Sequence, residues 1–368
     1  MRTTENTTPL KATHPGSIIL DELTANDLTQ SDLAKQIGYK KSQLNEIIKG
    51  KRSINADLAV LLEKALGVDA EYWLEVQKNY DLDNARVRLN KQKRLEALEK
   101  WKMIKDQIPV SFFKKEKVIS GDPVKDNDTI KDIYGIQNFE ELIIVNTNPV
   151  YARFRKSTKL QVNPINVIGW VKLVQFKAGQ LNVADFDYKR KDELITELKN
   201  IIVRNSDTLN RTKQVLSDFG IKLIYQRKGE KTPIDGITFW SNGSPAIGMT
   251  LRHKRLDNFV FTLFHELGHI YEHLINNSEA EFVDLYQPGE RKMNKGDKEE
   301  VEADRFALNH LIDPVKWKYF FRNREVISDH EIISFARINN IHPCIVRGRI
   351  NHDTGNYRVK TSIDNSIN

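Results

Sequence analysis

The sequence predicts an α+β protein, with an all-helical N-terminal domain followed by a larger mixed domain. Residues 14–80 contain five short helical segments separated by turns, several of which hold a glycine. In the second half, Asn242-Gly243 separates two apolar runs, which is a strong signal for a β-hairpin. Eight of the nine histidines follow residue 250, so a metal or catalytic site is expected in the last third of the chain.

Composition restricts the class of protein. The 368 residues carry a net charge of +7 and have a mean hydropathy of -0.53. No apolar run approaches the ~20 residues that a membrane helix needs, and the first ten residues lack the apolar stretch of a signal peptide. The single cysteine, Cys344, excludes an intramolecular disulfide framework. We therefore expect a cytoplasmic protein with no membrane partner.

The N-terminal helices have the layout of a helix-turn-helix, in which a short helix, a turn containing Gly38 and a second short helix follow one another. This domain is expected to span residues 1–82. The expected helices are Ser17–Asn26, Asp32–Ile37, Lys41–Lys49, Ala56–Leu66 and a fifth that begins near Ala70.

Polar side chains on the third of these helices suit DNA recognition. Lys40–Arg52 holds five basic residues and one acid, Glu46. Such side chains can contact base edges and phosphates, although a plain helical bundle with a solvated polar face would show the same spacing. The candidates are Lys40, Lys41, Ser42, Gln43 and Asn45, followed by Lys49, Lys51 and Arg52.

The segment 83–118 is expected to be a basic connecting helix. Residues 81–118 hold eleven lysines and arginines against six acids, and apolar residues recur at helical spacing until Pro109. A solvated surface is the simplest interpretation of that charge.

Residues 119–219 form a mixed middle region, with strands predicted at Glu141–Asn146 and Val167–Phe176 and a helix at Lys191–Val203. A third domain is expected over 220–353, and the polar tail 354–368 is expected to be loose.

A motif for metal chemistry lies on a predicted helix over Asn258–Ile275. His265-Glu266-Leu267-Gly268-His269 has the pattern H-E-x-x-H. Residues four apart lie ~40° apart around a helix, so both imidazoles can reach one zinc ion. Glu266 projects to the side, where it can act as a general base toward water at the metal.

A third ligand is expected from the next helix, Lys298–Leu311. Glu299 and Glu302 fall on one of its faces, and a carboxylate there would complete a His₂Glu set. The alternative is an acidic first turn that the helix dipole favours. His273 lies two turns beyond His265, and a straight helix cannot aim three histidines at one ion.

Two family resemblances extend these interpretations. The stretch from HPGSIILDEL through TQSDLA and NEIIKGKR to EYWLEVQKNYDL resembles the HigA branch of the lambda-repressor-like XRE helix-turn-helix proteins. The resemblance implies a dimeric domain that binds operator DNA. It further implies that Gln30 contacts a phosphate and that Lys41, Ser42, Gln43 and Asn45 face the major groove.

The segments TLFHELGHIYEHL and EEVEADRFALNHLIDP resemble the ImmA/IrrE metallopeptidases. This resemblance implies a zincin-like fold with Zn²⁺ as the cofactor. His265, His269 and Glu302 would be zinc ligands and Glu266 the general base. The strand that ends near Leu251 is expected to offer a sheet edge to an extended substrate peptide.

Two functions remain open from the sequence. The first is a DNA-binding regulator whose zinc endopeptidase domain cleaves a regulatory protein, such as a repressor. The second is a HigA-like antitoxin or autorepressor that binds DNA and a toxin, with the zincin domain as a scaffold. An intact general base favours the first, because a scaffold does not need one.

Overall fold

The protein is α+β, as the sequence predicts, in a computed structural model that describes residues 13–147, 162–252, 254–285, 298–322 and 327–368. The first twelve residues of the predicted N-terminal domain lie outside the described residues. The chain forms two compact units, Met1–Lys100 and Trp101–Asn368.

The first unit is all-helical, and its helices lie close to the predicted ones. Local side chains determine where two of them begin: Thr29 and Asp32 form a reciprocal capping box, and Asn55 accepts a hydrogen bond from the Leu58 N–H. The core contains Leu33, Leu44 and Trp73, all fully buried. The helices are α1 Pro15–Ala25, α2 Gln30–Gln36, α3 Lys41–Ile48, α4 Ala56–Leu66 and the start of α5 Ala70–Ile104.

Helix α5 changes the predicted domain boundary. It runs for 35 residues without a break, so the boundary expected between 82 and 83 falls inside a continuous helix. The fifth helix of the N-terminal domain and much of the basic connecting segment are therefore one element.

The second unit is built around a four-stranded sheet with the order β1-β3-β2-β4. Strand β3 pairs parallel with β1 and antiparallel with β2, while β4 pairs antiparallel with β2. The predicted hairpin is confirmed, and Asn242 and Gly243 both have the positive φ that its tight turn needs. The strands are β1 Lys222–Tyr225, β2 Ile234–Ser241, β3 Ser244–Met249 and β4 Phe282–Leu285.

Most of the second unit is helical. The helices that precede the sheet are α6 Val110–Lys115, α7 Pro123–Tyr134, α8 Glu141–Thr147, α9 Pro164–Gly179, α10 Lys191–Arg204 and α11 Thr208–Asp218. The later ones are α12 Leu256–Gly268, α13 Lys298–Leu311, α14 Pro314–Phe321, α15 Asp329–Ile338 and α16 Pro343–Thr354. A π-helical segment, His269–Leu274, continues α12. None of the described helices is long and apolar enough to cross a membrane.

The two strands predicted in the middle region are wrong. Glu141–Asn146 lies in α8, and Val167–Phe176 lies in α9. Helix α9 is buried on most sides, so its apolar residues show no period that distinguishes a helix from a strand. Its start is nevertheless encoded locally, because Asn163 accepts hydrogen bonds from two backbone N–H groups and Pro164 occupies the first turn.

The middle region is part of the same structure as the sheet. Helix α9 packs on β1 and β2, and α12 packs on β2 and β3. Val174 on α9 shares a core with Ile224 and Ile237 on one face of the sheet, whereas Ile247 belongs to the core on the other face with α12. Residues 119–219 are therefore not separate from 220–353.

The polar tail is held by hydrogen bonds instead of being loose. The Asn365 carbonyl accepts from the Leu256 N–H at 2.7 Å, and the Asn368 carbonyl accepts from the Thr208 N–H at 2.7 Å. Asp329 also accepts from the Ser362 N–H at 2.6 Å. Backbone groups attach the tail to the second unit, and because every sequence carries such groups, the polar composition of the tail did not reveal these contacts.

The strand predicted to offer an edge to substrate is an interior strand. Strand β3 is paired on both sides, so its backbone groups are not free for a peptide. Among the described strands, β1 and β4 are the edges.

Candidate metal centre and nucleic-acid interface

Helices α2 and α3 of the first unit form the candidate DNA interface, joined by a turn in which Gly38 has a φ of +70°. Gln30 is the first residue of α2 and is half-buried. The predicted contact residues lie on or beside α3. Lys40, Lys41, Ser42, Lys49, Lys51 and Arg52 are exposed, and Gln43 and Asn45 are half-buried.

Two of these side chains have partners within the protein. The Gln43 Oε1 accepts a hydrogen bond from the Lys40 N–H at 3.0 Å. This bond fixes the start of α3 and leaves the Gln43 Nε2 as a donor. Arg52 Nε lies 3.5 Å from Glu46 Oε2 at the surface.

The second unit holds a candidate metal centre at the end of α12. His265 and His269 are almost fully buried, and their Nε2 atoms lie 3.1 Å apart. The ring of His269 stacks on Phe282 from β4, with 4.6 Å between centroids. The structure thus brings the two predicted histidine ligands together and points one nitrogen of each at the same spot.

The carboxylate that approaches both Nε2 atoms belongs to Glu300, whereas the side chain of Glu302, the expected ligand, lies away from them. Glu300 Oε2 lies 3.4 Å from His265 Nε2, and Oε1 lies 3.6 Å from His269 Nε2. Residues two apart lie about 200° apart around a helix, so Glu302 faces elsewhere. Its Oε2 atom lies 3.1 Å from His273 Nε2.

Close packing of α12 on α13 places Glu300 at the site. A Cβ atom at Gly268 would lie 2.9 Å from the Ala303 Cα, so only glycine allows this approach. Ala303 is one helical turn from Glu300 and faces the same way.

Each of the two histidines has an orienting partner on its other ring nitrogen, Nδ1. His265 Nδ1 lies 2.9 Å from Asp304 Oδ1, and His269 Nδ1 lies 3.2 Å from His273 Nδ1. With a metal on Nε2, both histidines would carry their proton on Nδ1 and donate it to these partners. In that arrangement His273 would donate from Nε2 to Glu302. The π-helical geometry of His269–Leu274 accompanies this His–His contact.

Glu266 is fully buried beside the two histidines. Its Oε2 accepts from the Thr238 hydroxyl at 2.5 Å, and its Oε1 has no hydrogen-bond partner within the described part of the chain. Gly236 on β2 makes room for this carboxyl, because a Cβ there would lie 2.0 Å from Oε1. Burial raises the pKa of Glu266 to about 8.

Burial also affects the pKa values of the two histidines. It lowers the pKa of His269, and the neighbouring His265 and His273 add to that effect. For His265, burial is opposed by the hydrogen bonds to Asp304 and Glu300, which raise the pKa overall.

The donor set fits zinc. Two imidazole nitrogens and one carboxylate are the ligands of a catalytic His₂Glu zinc site, which keeps a further position open. Ligand atoms of His265, His269 and Glu300 all lie within 4.8 Å of one another. Asp284 of β4 lies beside the same site, since its ligand atom is within 4.8 Å of those of His265 and Glu266.

Sequence reasoning missed Glu300, Asp304, Thr238 and Gly236. Glu300 and Asp304 carried a usable signal, because they are four residues apart and so share a helix face with Ala303. Thr238 and Gly236 carried none, since their role depends on where β2 lies against α12.

The comparisons with known proteins concern the N-terminal region. A helix-turn-helix family model matches residues 19–73. Virulence-associated protein I of Dichelobacter nodosus is 40% identical over 77 residues, which cover 21% of this chain and 71% of that protein. The chain belongs to the helix-turn-helix family through this region. Virulence-associated protein A' of the same organism is 40% identical over 70 residues, 61% of its length.

Two solved structures resemble this chain over less than a quarter of its length. An addiction module antidote protein of a HigA family from Coxiella burnetii is 33% identical, covers 23% of this chain and 91% of its own, and has a TM-score of 0.22. The Pseudomonas aeruginosa antitoxin HigA, solved with the higBA promoter, is 31% identical, covers 22% and 90%, and has a TM-score of 0.21.

Proposed function

We propose that this chain is a DNA-binding regulator whose second unit is a zinc-dependent, zincin-like endopeptidase that cleaves a regulatory protein, such as a repressor or an antitoxin. One observation carries the proposal. The His265 and His269 Nε2 atoms lie 3.1 Å apart, the Glu300 carboxylate lies within 3.6 Å of both, and the buried Glu266 lies beside them.

Zinc bound by these residues would supply a Lewis acid that polarises water and the peptide carbonyl and favours the ionised form of Glu266. The Glu266 Oε1 then takes the proton of the attacking water, while the Thr238 hydroxyl holds the other carboxylate oxygen. The same carboxyl returns the proton to the leaving amine. Side chains of Glu300 and Asp304 are 33% and 45% exposed, so the site is open to solvent on the α13 side.

The DNA-binding half of the proposal rests on the helix-turn-helix domain and on the exposed polar face of α3. Lys40, Lys41 and Ser42 are exposed at the start of the helix that enters the major groove in this class of domain. We propose operator DNA as the partner, with a homodimer on a two-fold site. The P. aeruginosa relative, whose structure includes promoter DNA, supports this partner.

An antitoxin or autorepressor is the second candidate function. It is favoured by the relatives of the helix-turn-helix domain, which are described as antidote and antitoxin proteins. In that case the second unit would bind a toxin without turnover. A buried carboxyl with an unpartnered oxygen destabilises a scaffold, which favours the peptidase.

Zinc analysis together with a comparison of cleavage products, in the wild type and in Glu266→Gln, separates the two functions. We expect about one zinc per chain in both proteins, because Glu266 is not a ligand. Cleavage products that appear in cells expressing the wild type should be absent from cells expressing Glu266→Gln. A freshly purified wild type without bound zinc, or identical cleavage products in both strains, would overturn the peptidase proposal. His265→Ala is the matched control that should lose both zinc and cleavage.

A further inference from the structure

A small pocket lies between α12, α13 and α16, outside the metal centre. Its volume is about 90 Å³, and it is open on one side. The walls are mainly apolar. They include Phe261 of α12, Leu308, Leu311 and Ile312 of α13 and its C-terminal end, and Ile345 of α16.

One polar group in this pocket is unpartnered. Asn351 of α16 lines the pocket and is only 8% exposed, and its Oδ1 has no hydrogen-bond partner among the described residues. A buried acceptor without a donor is costly. A ligand that brings an N–H group into the pocket would satisfy it. A peptide group, which offers both a donor and an acceptor, suits a side-chain amide in either orientation.

The pocket lies about one helical turn from the metal centre along α12 and α13. Helices α12 and α13 lie side by side, with His269 opposite Glu300 and His265 opposite Asp304. One turn further along are Phe261, whose ring centroid is 6.3 Å from that of His265, and Leu308. A helical turn is about 5.4 Å long, and successive residues of an extended peptide are about 3.4 Å apart. The pocket is therefore within reach of a residue one or two positions from a bond cleaved at the metal centre.

Charged groups at the pocket are paired within the protein. Arg349 Nε lies 2.9 Å from Asp353, and Arg255 Nε lies 3.0 Å from Asp257. These pairs leave no charge that calls for an ionic ligand. An apolar cavity of about 150 Å³ accommodates benzene, so a cavity of 90 Å³ fits a smaller, aliphatic group.

We propose that this pocket binds one aliphatic side chain of the substrate, of the size of valine or leucine, close to the cleaved bond. Asn351 accepts a hydrogen bond from a backbone N–H next to that side chain. The inference rests on the proposed peptidase function and adds a substrate-binding residue, Asn351, to it.

The test uses the full-length protein stripped of metal with a chelator, so that binding is measured without turnover. The probes are N-acetyl-leucine N-methylamide, the glycine analogue and the phenylalanine analogue, titrated by ligand-observed NMR. We expect the leucine probe to bind at least tenfold more tightly than either analogue. Equal affinity for the leucine and glycine probes would overturn the inference.

Two variants locate the binding site. Asn351→Leu keeps the volume and removes the unpartnered oxygen, so it should weaken the leucine probe roughly tenfold and leave thermal stability equal or higher. Leu308→Trp fills the pocket and should abolish binding. The control is Asn309→Leu, at an exposed position of α13. Unchanged probe affinity in Asn351→Leu, or a loss of stability in that variant, would contradict the assigned role.

The outcome is distinguishable from failure of the proposed function. Zinc content tests the metal centre alone, and probe binding tests the pocket alone. Selective leucine binding by a protein that never binds zinc would overturn the assignment of the pocket to peptide cleavage.

Discussion

The helix-turn-helix domain and the metal centre differ in how far apart in sequence their residues lie. The predicted DNA-contacting residues all fall within Gln30–Arg52, and capping residues next to them define the helices. The metal centre combines β2, the end of α12 and the start of α13, which span residues 236–304. The first site is therefore a property of a short segment, whereas the second depends on how distant segments pack.

The largest expected effect is on DNA binding by the helix-turn-helix domain. Lys41→Ala combined with Gln43→Ala removes a cation and a donor from α3, and each base-edge contact is worth about 1–3 kcal/mol. We expect specific DNA affinity to fall roughly a hundredfold or more, measured on duplexes selected from a random pool by the wild type. Lys64→Ala, on α4, is the control. An unchanged sequence preference in the double variant would show that α3 is not the recognition helix.

The next largest effect is expected on zinc affinity, when the residue that orients His269 is removed. His273→Ala removes the acceptor for the His269 N–H, and loss of such an orienting partner costs about 10–100-fold in metal affinity. We expect this loss in the zinc dissociation constant, with partial recovery in His273→Gln. Zinc affinity should not change in His330→Ala, at an exposed position. Wild-type affinity in His273→Ala would remove His273 from the site.

The same contrast explains what the sequence could predict. Helices with local signals, such as Ala56–Leu66 and Lys298–Leu311, have the predicted bounds. H-E-x-x-H predicts His265, Glu266 and His269, because the spacing alone places them together. Glu299 and Glu302 are the carboxylates that the sequence analysis names, and Glu300 is not among them. The face of α13 that meets α12 depends on the contact of Gly268 with Ala303, so the spacing of Glu300 and Asp304 is informative only once that contact is known.

Buried helices form the second class of error. Val167–Phe176 is apolar on most sides of α9, with Lys172 and Gln175 its only polar residues, so neither the period of a helix nor that of a strand stands out in it. Asn163 and Pro164 are the local signal that would have corrected the prediction.

A smaller effect is expected in the tail, another place where distant contacts decide the structure. Burial would raise the pKa of Asp329, but hydrogen bonds from Ser362, Thr361 and Arg347 outweigh it and lower the pKa well below its usual value. Because the folded pKa lies below the unfolded one, the contribution to stability is complete above about pH 4 and is lost as the pH falls through the folded pKa.

Asp329→Asn should accordingly destabilise the protein by about 1–2 kcal/mol at pH 7. The difference from the wild type should shrink in acid, measured by urea unfolding between pH 7 and pH 2. Asp185→Asn, at an exposed position, is the control. A constant difference across that range would contradict the role of the Asp329 charge.

The zinc dissociation constants of Glu300→Ala and Glu302→Ala test the central claim most directly. The two glutamates lie on the same helical turn, so propensity and charge change equally in both variants. We expect Glu300→Ala to weaken zinc binding by more than about a hundredfold, and Glu302→Ala, which acts through His273, by about tenfold. A larger loss in Glu302→Ala, or wild-type affinity in Glu300→Ala, would contradict the assignment of His265, His269 and Glu300 as the metal ligands.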